Sequence, residues 1–190
     1  NFLTSIFNHF DKRDFGKPGR SNVLSSNAML ACSHPVASSV GIDILKNGGN
    51  AVDAAIAMNS VLCVAEPHMT GVGGDCFVML SPDGSTNIKA LNGSGKSSSN
   101  AKASILRKNQ ISVITPEMPD AITIPGAVAA WSLLHKEHGH MPWKELFIPA
   151  INFSNQGIKV HERVSLDWSK NIQKLSLDSD TSKIFLKDGK

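Results

Sequence analysis

The sequence has few cysteines, no long apolar run and little excess charge. Its three cysteines, Cys32, Cys63 and Cys76, lie within apolar segments, which predicts buried free thiols and not a disulfide framework. No apolar run approaches the roughly 20 residues that span a membrane. The formal net charge is +3, and no cluster of lysine and arginine is dense enough to indicate nucleic-acid binding. We therefore expect no membrane span in this chain and no nucleic-acid partner, while its compartment stays open.

What is present is typical of a folded globular chain. Hydrophobic residues make up 41% of the 190 residues and charged residues 18%, which is neither a disordered nor a fibrous composition. Residues 1–20 form a predicted lead-in segment, in which helically spaced apolar residues are followed by a charged linker punctuated by glycine and proline.

A nearly all-apolar helix, predicted over 51–65, is the feature around which the rest is organised. Gly48 or Gly49 can end the preceding helix in a left-handed conformation. Asn50 is placed to cap the next helix, and Asp53 to complete a capping box with it. Because the helix has almost no polar face, we expect it to be buried.

The remaining pattern predicts an α+β fold, helix-rich with a short antiparallel sheet. The sheet is a hairpin of strands 76–80 and 88–91, joined by the turn 81–84, whose Pro-Asp-Gly sequence favours a tight turn. Further strands are predicted over 28–33 and 121–124. Helices are predicted over 35–46, 101–108, 126–138, 143–156, 161–175 and the tail from 178.

Two patterns invite a cofactor or a metal, and neither is convincing. The glycine-rich turn 71–75 lies between a helix and a strand, whereas a dinucleotide fingerprint follows a strand and opens a helix. His135, His138 and His140 are closely spaced, but a zinc site needs a further ligand and supporting hydrogen bonds. Histidines near a helix C-terminus also suit its partial negative charge. We expect no cofactor and no metal.

Several blocks, in the right order, resemble the γ-glutamyltransferase (γ-glutamyltranspeptidase) family. They are Leu-Lys-Asn-Gly-Gly-Asn-Ala-Val-Asp-Ala-Ala at 45–55, Val-Ala-Glu-Pro at 64–67 and Gly-Val-Gly-Gly-Asp-Cys-Phe at 71–77, with flanking matches at 32–37 and 124–129. The resemblance implies that residues 21–190 are the N-terminal part of a large subunit, an incomplete domain. It also implies an αββα N-terminal-nucleophile hydrolase sandwich in the complete protein.

The same resemblance implies acyl transfer from a γ-glutamyl or related amide, such as glutathione, to water or an amino acid. In this family a precursor cuts itself, and the threonine freed at the new N-terminus attacks the amide with its own α-amino group as base. That threonine opens the small subunit, downstream of this chain. The threonines present lie outside any block resembling that site: Thr4, Thr70, Thr86, Thr115, Thr123 and Thr181.

We therefore expect no catalytic residue in this chain and no activity from it alone. Its expected partners are the remainder of the large subunit, the small subunit and a small-molecule acyl amide. The alternative from another class is a non-catalytic scaffold or binding protein that kept the fold, and the downstream sequence would discriminate the two.

The block at 90–96, Ala-Leu-Asn-Gly-Ser-Gly-Lys, carries the substrate-binding hypothesis. In the family this strand end bears an arginine that holds the donor's α-carboxylate through a bidentate, charged fork. The resemblance places Ser94 at that position, so the match fails at the specificity residue. In an extended backbone Ser94 and Lys96 point to the same side. Our hypothesis is that Lys96 supplies a charge for an acidic acyl group while Ser94 hydrogen-bonds it; the alternative is an exposed loop lysine beside a turn serine.

Overall fold

The structure, a computed structural model, describes residues 22–186. The lead-in predicted over 1–20 lies outside them. By its internal contacts the chain divides into two compact units. The larger is Leu30–Lys159, and the described part of the smaller comprises residues 22–29 and 160–186. None of the helices in this part of the chain is both long and apolar enough to cross a bilayer.

Two adjacent helices form the centre of the larger unit: α1 (Pro35–Lys46) and α2 (Ala51–Ala65). Pro35 opens α1, where its missing N–H would have had no partner. The capping box predicted for α2 is confirmed: Asn50 Oδ1 accepts from the backbone N–H of Asp53 (3.1 Å), and Asp53 Oδ2 accepts from that of Asn50 (3.0 Å). The expected burial of α2 is confirmed as well, since most of its residues are buried.

The predicted hairpin is confirmed. Strand β1 (Cys76–Leu80) pairs antiparallel with β2 (Lys89–Gly93) across a 3₁₀ turn at Pro82–Gly84. One face of β1 packs on the helices, whereas Phe77 and Met79 on the other face are 70% and 79% exposed. The sheet of the described residues has only these two strands, so the edge of β1 away from β2 is open within them.

Three further helices belong to this unit: α3 (Ala103–Lys108), α4 (Ala127–His138) and α5 (Ile148–Gln156). A 3₁₀ segment, Trp143–Phe147, precedes α5. The buried core unites α1, α2, α4, α5 and the 3₁₀ segment, and it is made of Ala37, Val40, Ile44, Val52, Ala54, Ile56, Ala57, Val61, Leu62, Ala127, Trp131, Leu134, Leu146 and Ala150.

The smaller unit contains α6 (Glu162–Ser169), α7 (Ile172–Leu175) and α8 (Ser179–Phe185). The rings of Trp168 on α6 and Phe185 on α8 lie 5.0 Å apart between centroids. This aromatic contact ties the first of these helices to the last.

Some predicted elements differ from the structure, each for a physical reason. Residues 28–33 form no strand, because no described strand lies beside them to complete a hydrogen-bonded ladder. The strand predicted at 121–124 is reduced to one bridge between Ser97 and Thr123. The single helix predicted over 143–156 breaks into the 3₁₀ segment and α5, since Pro149 in the first turn of α5 cannot continue a preceding helix. The helix predicted over 161–175 divides into α6 and α7 at Asn171, whose backbone leaves the helical conformation (φ −113°, ψ 9°).

Candidate functional site

The block that carries the substrate-binding hypothesis lies where three chain segments cross. We call this the crossing: residues 74–75 before β1, residues 93–96 at the end of β2, and residues 123–126 before α4. The backbone N–H of Ile124 donates to the carbonyl of Lys96 (2.9 Å). The N–H groups of Gly126 and Ala127 both donate to the carbonyl of Gly74 (3.1 and 3.0 Å). The crossing is therefore a backbone-to-backbone contact that fixes the strand end carrying Ser94 and Lys96.

Glycines allow this close approach. A Cβ atom placed on Gly95 would lie 1.4 Å from the carbonyl oxygen of Ile124, and one on Gly126 would lie 2.2 Å from that of Gly93. A Cβ on Gly93 would meet the Cβ of Ala130 at 2.4 Å. No side chain fits at these positions while the backbone stays where it is, so the glycines of the 90–96 block have a structural purpose.

Asp75 joins the three segments by its side chain. Its Oδ1 atom accepts a hydrogen bond from the backbone N–H of Gly95 (3.0 Å) and another from the hydroxyl of Thr123 (3.0 Å). The three residues are far apart in sequence, and only the tertiary structure brings them together. Sequence reasoning missed both Asp75 and Thr123. The one local signal was the acidic side chain of Asp75 directly after the glycines of 71–74. A turn that binds phosphate would not place a negative charge there, so the signal indicated another use of the carboxylate.

Ser94 and Lys96 both have exposed side chains. The backbone N–H of Ser94 donates to Asn92 Oδ1 (2.9 Å), which closes a tight turn at the strand end. The structure therefore puts the two predicted residues on one short, exposed loop, residues 94–96, whose backbone is held at several points. Their contact with a substrate stays a prediction.

A groove of about 470 Å³ adjoins the crossing. It lies between α2, α4 and β1, and consecutive β1 residues line it, so the groove follows the open edge of that strand. Asp75 is one of its lining residues, while Trp131 and Leu134 contribute apolar surface. Within residues 22–186 the groove presents the unpaired edge of β1 beside apolar side chains.

The three histidines of the predicted cluster lie away from the crossing, at the junction between α4 and the start of α2. The fully buried Asp53 accepts from the backbone N–H groups of His140 and Met141, each at 3.1 Å. His135 Nε2 donates to the carbonyl of Met141 (2.8 Å) and lies 3.8 Å from Asp53 Oδ1. The side-chain amide of Asn50 donates to the carbonyl of His138 (2.6 Å).

Within residues 22–186 no three histidine, cysteine, aspartate or glutamate side chains come together as a possible metal-binding group. The histidines at this junction have backbone and carboxylate partners instead. These contacts join the end of α4 to the start of α2, which is a structural role.

The three cysteines are free thiols, as predicted, although they are half-buried and not fully buried. Burial raises the pKa of the Cys63 thiol, and burial likewise raises the pKa of Cys76 against an opposing hydrogen bond from Trp131. Because a raised pKa lowers the thiolate fraction at neutral pH, neither group is an activated nucleophile.

Comparison with known proteins defines the class of fold. The structure superposes on the γ-glutamyltranspeptidase of Helicobacter pylori with a TM-score of 0.79 at 26% identity, over 89% of this chain and 49% of that one. It also superposes on a cephalosporin acylase from Bacillus halodurans with a TM-score of 0.75 at 33% identity, over 88% of this chain and 31% of that one. The α+β fold is thus that of part of an N-terminal-nucleophile hydrolase sandwich.

The sequence comparisons give the family. The family profile of γ-glutamyltranspeptidase matches residues 37–190. The glutathione hydrolase-like YwrD proenzyme of Bacillus subtilis is 34% identical over 169 residues, which is 89% of this chain and 32% of that protein. The chain belongs to the γ-glutamyltranspeptidase family, as the block pattern indicated, and it spans about a third of the length of this curated relative.

Proposed function

We propose that the complete protein is an acyl-transfer enzyme that cleaves γ-glutamyl or related amides. Membership of the γ-glutamyltranspeptidase family carries this proposal. The names of the matched proteins, a glutathione hydrolase-like proenzyme, a γ-glutamyltranspeptidase and a cephalosporin acylase, agree with it. The reaction requires no cofactor and no metal.

The nucleophile in this proposal is an N-terminal threonine that self-cleavage frees on a segment outside residues 1–190. Its hydroxyl attacks the amide carbon while its α-amino group takes the proton and returns it to the leaving amine. The resulting acyl ester is then resolved by water or by an amino acid. The present chain is the N-terminal part of the large subunit, and its role is to shape the acyl pocket.

The 94–96 loop is the proposed wall of that pocket. Lys96 offers a compact ammonium charge to an acidic acyl group, and the hydroxyl of Ser94 offers one hydrogen bond. Support comes from the exposure of both side chains and from the fixed backbone beneath them. Since a lysine lacks the bidentate fork of arginine, we expect the site to tolerate acidic acyl groups other than γ-glutamyl.

The test uses the full-length precursor and a Lys96→Ala variant, assayed on a chromogenic γ-glutamyl anilide and on a neutral acyl anilide. Hydrogen bonds to charged groups contribute about 1.5–3 kcal/mol, so kcat/KM for the acidic donor should fall by roughly 10- to 150-fold. The neutral donor should be unaffected. Lys89→Ala, at the far end of β2, is the matched control.

An unchanged kcat/KM toward the acidic donor in Lys96→Ala would remove the loop from the donor site. A precursor that neither cuts itself nor turns over any amide would favour the scaffold alternative over the enzyme. The isolated 190-residue chain should show no turnover, because the nucleophile is not in it.

We also propose that the rest of the protein covers the hairpin. Among the residues that the structure describes, the open edge of β1 offers unpaired backbone groups, and the outer face of the same strand exposes Phe77 and Met79. Such edges and apolar faces are normally covered in a stable protein. This chain spans 49% of the chain of the Helicobacter pylori γ-glutamyltranspeptidase. The part of the fold that it does not span is large enough to cover the hairpin.

A further inference from the structure

We propose that Asp75 is a positioning residue for the acyl donor, acting through the 94–96 loop. This inference rests on the proposed function and adds to it a residue that the block pattern did not mark. One oxygen of Asp75 accepts from the N–H of Gly95 and from the hydroxyl of Thr123, both at 3.0 Å. Gly95 stands between Ser94 and Lys96, the two residues proposed to contact the donor.

The position of this bond explains its effect. A hydrogen bond to the N–H of Gly95 fixes the peptide unit that joins Ser94 to Gly95, one residue before Lys96. The same peptide cannot be held by packing of a side chain, because Gly95 has none and its Cα faces the carbonyl of Ile124. The carboxylate of Asp75 therefore replaces side-chain packing as the means of holding the loop.

A second set of contacts fixes the segment 123–126 against the 94–96 loop. Thr123 donates to Asp75, and the next residue, Ile124, donates its N–H to the carbonyl of Lys96. The segment 123–126 is thereby linked to the N–H of Gly95 through Asp75 and to Lys96 directly. Loss of the Asp75 carboxylate would release one side of the loop while leaving the other attached.

The charge of Asp75 argues against direct contact with the donor. An acidic acyl group beside an exposed carboxylate would be repelled, and the repulsion would oppose the attraction to Lys96. The geometry instead turns one carboxylate oxygen toward two protein donors. Asp75 accordingly acts by placing the loop, and its effect should appear in donor binding more than in the chemical step.

The experiment compares Asp75→Ala and Asp75→Asn in the full-length precursor, with Asp43→Ala, an exposed position on α1, as the control. In Asp75→Ala we expect the KM for the acidic anilide to rise at least 10-fold, with kcat within about threefold and self-cleavage retained. Asp75→Asn keeps an oxygen that can accept both bonds, so most of the affinity should return. Thr123→Val should show an intermediate loss, and it should add little to Asp75→Ala.

Three results would overturn the inference. The first is a KM that Asp75→Ala leaves unchanged. The second is a fall in kcat and melting temperature at constant KM, which would mark a merely structural role. The third is an Asp75→Asn variant as impaired as Asp75→Ala, which would mean that the charge itself is needed.

Amide hydrogen exchange tests the positioning role of Asp75 independently of the proposed function. The peptide that contains Gly95 should exchange faster in Asp75→Ala than in Asp75→Asn or the wild type, whether or not the protein turns over a donor. Equal exchange in all three would overturn the positioning role. If the Gly95 peptide exchanges faster in Asp75→Ala but the wild-type protein turns over no amide, the positioning role is supported and only the acyl-transfer proposal is refuted.

Discussion

Asp53 shows how a single buried side chain can join distant parts of the chain. Its carboxylate accepts backbone N–H bonds from Asn50, His140 and Met141, and it is fully excluded from solvent. It therefore caps α2 and at the same time holds the segment that follows α4. A buried carboxylate is tolerated only because its oxygens are satisfied in this way.

We predict that Asp53→Ala destabilises the full-length protein strongly. The change leaves several backbone N–H groups without an acceptor, and each such group, when buried, costs about 1–3 kcal/mol. A total loss of at least about 3 kcal/mol is therefore expected in denaturant unfolding followed by tryptophan fluorescence. Asp53→Asn should lose less, because one oxygen remains. Asp43→Ala should stay within about 0.5 kcal/mol, and an equal loss there would contradict the assignment.

At the level of secondary-structure elements, the crossing depends on backbones that approach without intervening side chains. Gly93 and Gly95 on the β2 side face Gly126 and Ile124 on the α4 side. This contact sets where the hairpin lies against α4, and it carries the loop of the proposed donor site. The spacing of the elements is thus fixed by residues that have no side chain.

We predict that Gly95→Ala opens the crossing, whereas Gly73→Ala does not. A Cβ on Gly95 would overlap the carbonyl of Ile124 at 1.4 Å, but a Cβ on Gly73 would have nothing within 4 Å. The first variant should lower the melting temperature and raise hydrogen exchange over 93–97 and 123–126. The second should be neutral, or stabilising by up to about 1 kcal/mol through a less flexible unfolded chain. Identical melting temperatures for both variants would refute the close approach.

The sequence predicted correctly those features that depend on only a few consecutive residues. The caps of α2, the proline at the start of α1 and the turn of the hairpin were readable because each depends on neighbours within four residues. The strand predicted over 28–33 was wrong, since a strand also requires a partner that its own sequence cannot guarantee. The break at Pro149 was readable in principle, because proline interrupts a continuous helix.

At the level of the whole molecule, the larger unit leaves an apolar sheet face exposed. Phe77 and Met79 project from it at 70% and 79% exposure, beside the open edge of β1. Monomeric proteins rarely leave such a face and such an edge uncovered together. This surface agrees with a chain that spans only part of its relatives.

We predict that the purified 190-residue chain self-associates, because the exposed face and the open edge can pair between copies. Light scattering should show particles larger than a monomer, and binding of an apolar dye should be strong. A double change, Phe77→Lys with Met79→Lys, should reduce both signals, whereas Val113→Lys, a matched exposed loop position (71%), should not. A monomer with a sharp thermal transition would refute the prediction. In the full-length precursor the same double change should impair folding.

The sequence by itself determined the family, the helical and hairpin elements of the larger unit, and the loop that carries Ser94 and Lys96. These follow from spacing within short segments and from the order of the blocks. Only the tertiary structure decided that Asp75 reaches Gly95 and Thr123, and that Asp53 joins α2 to the end of α4. Those bonds link residues 20 to 88 positions apart, and such pairings are fixed by how elements pack and not by what any one segment prefers.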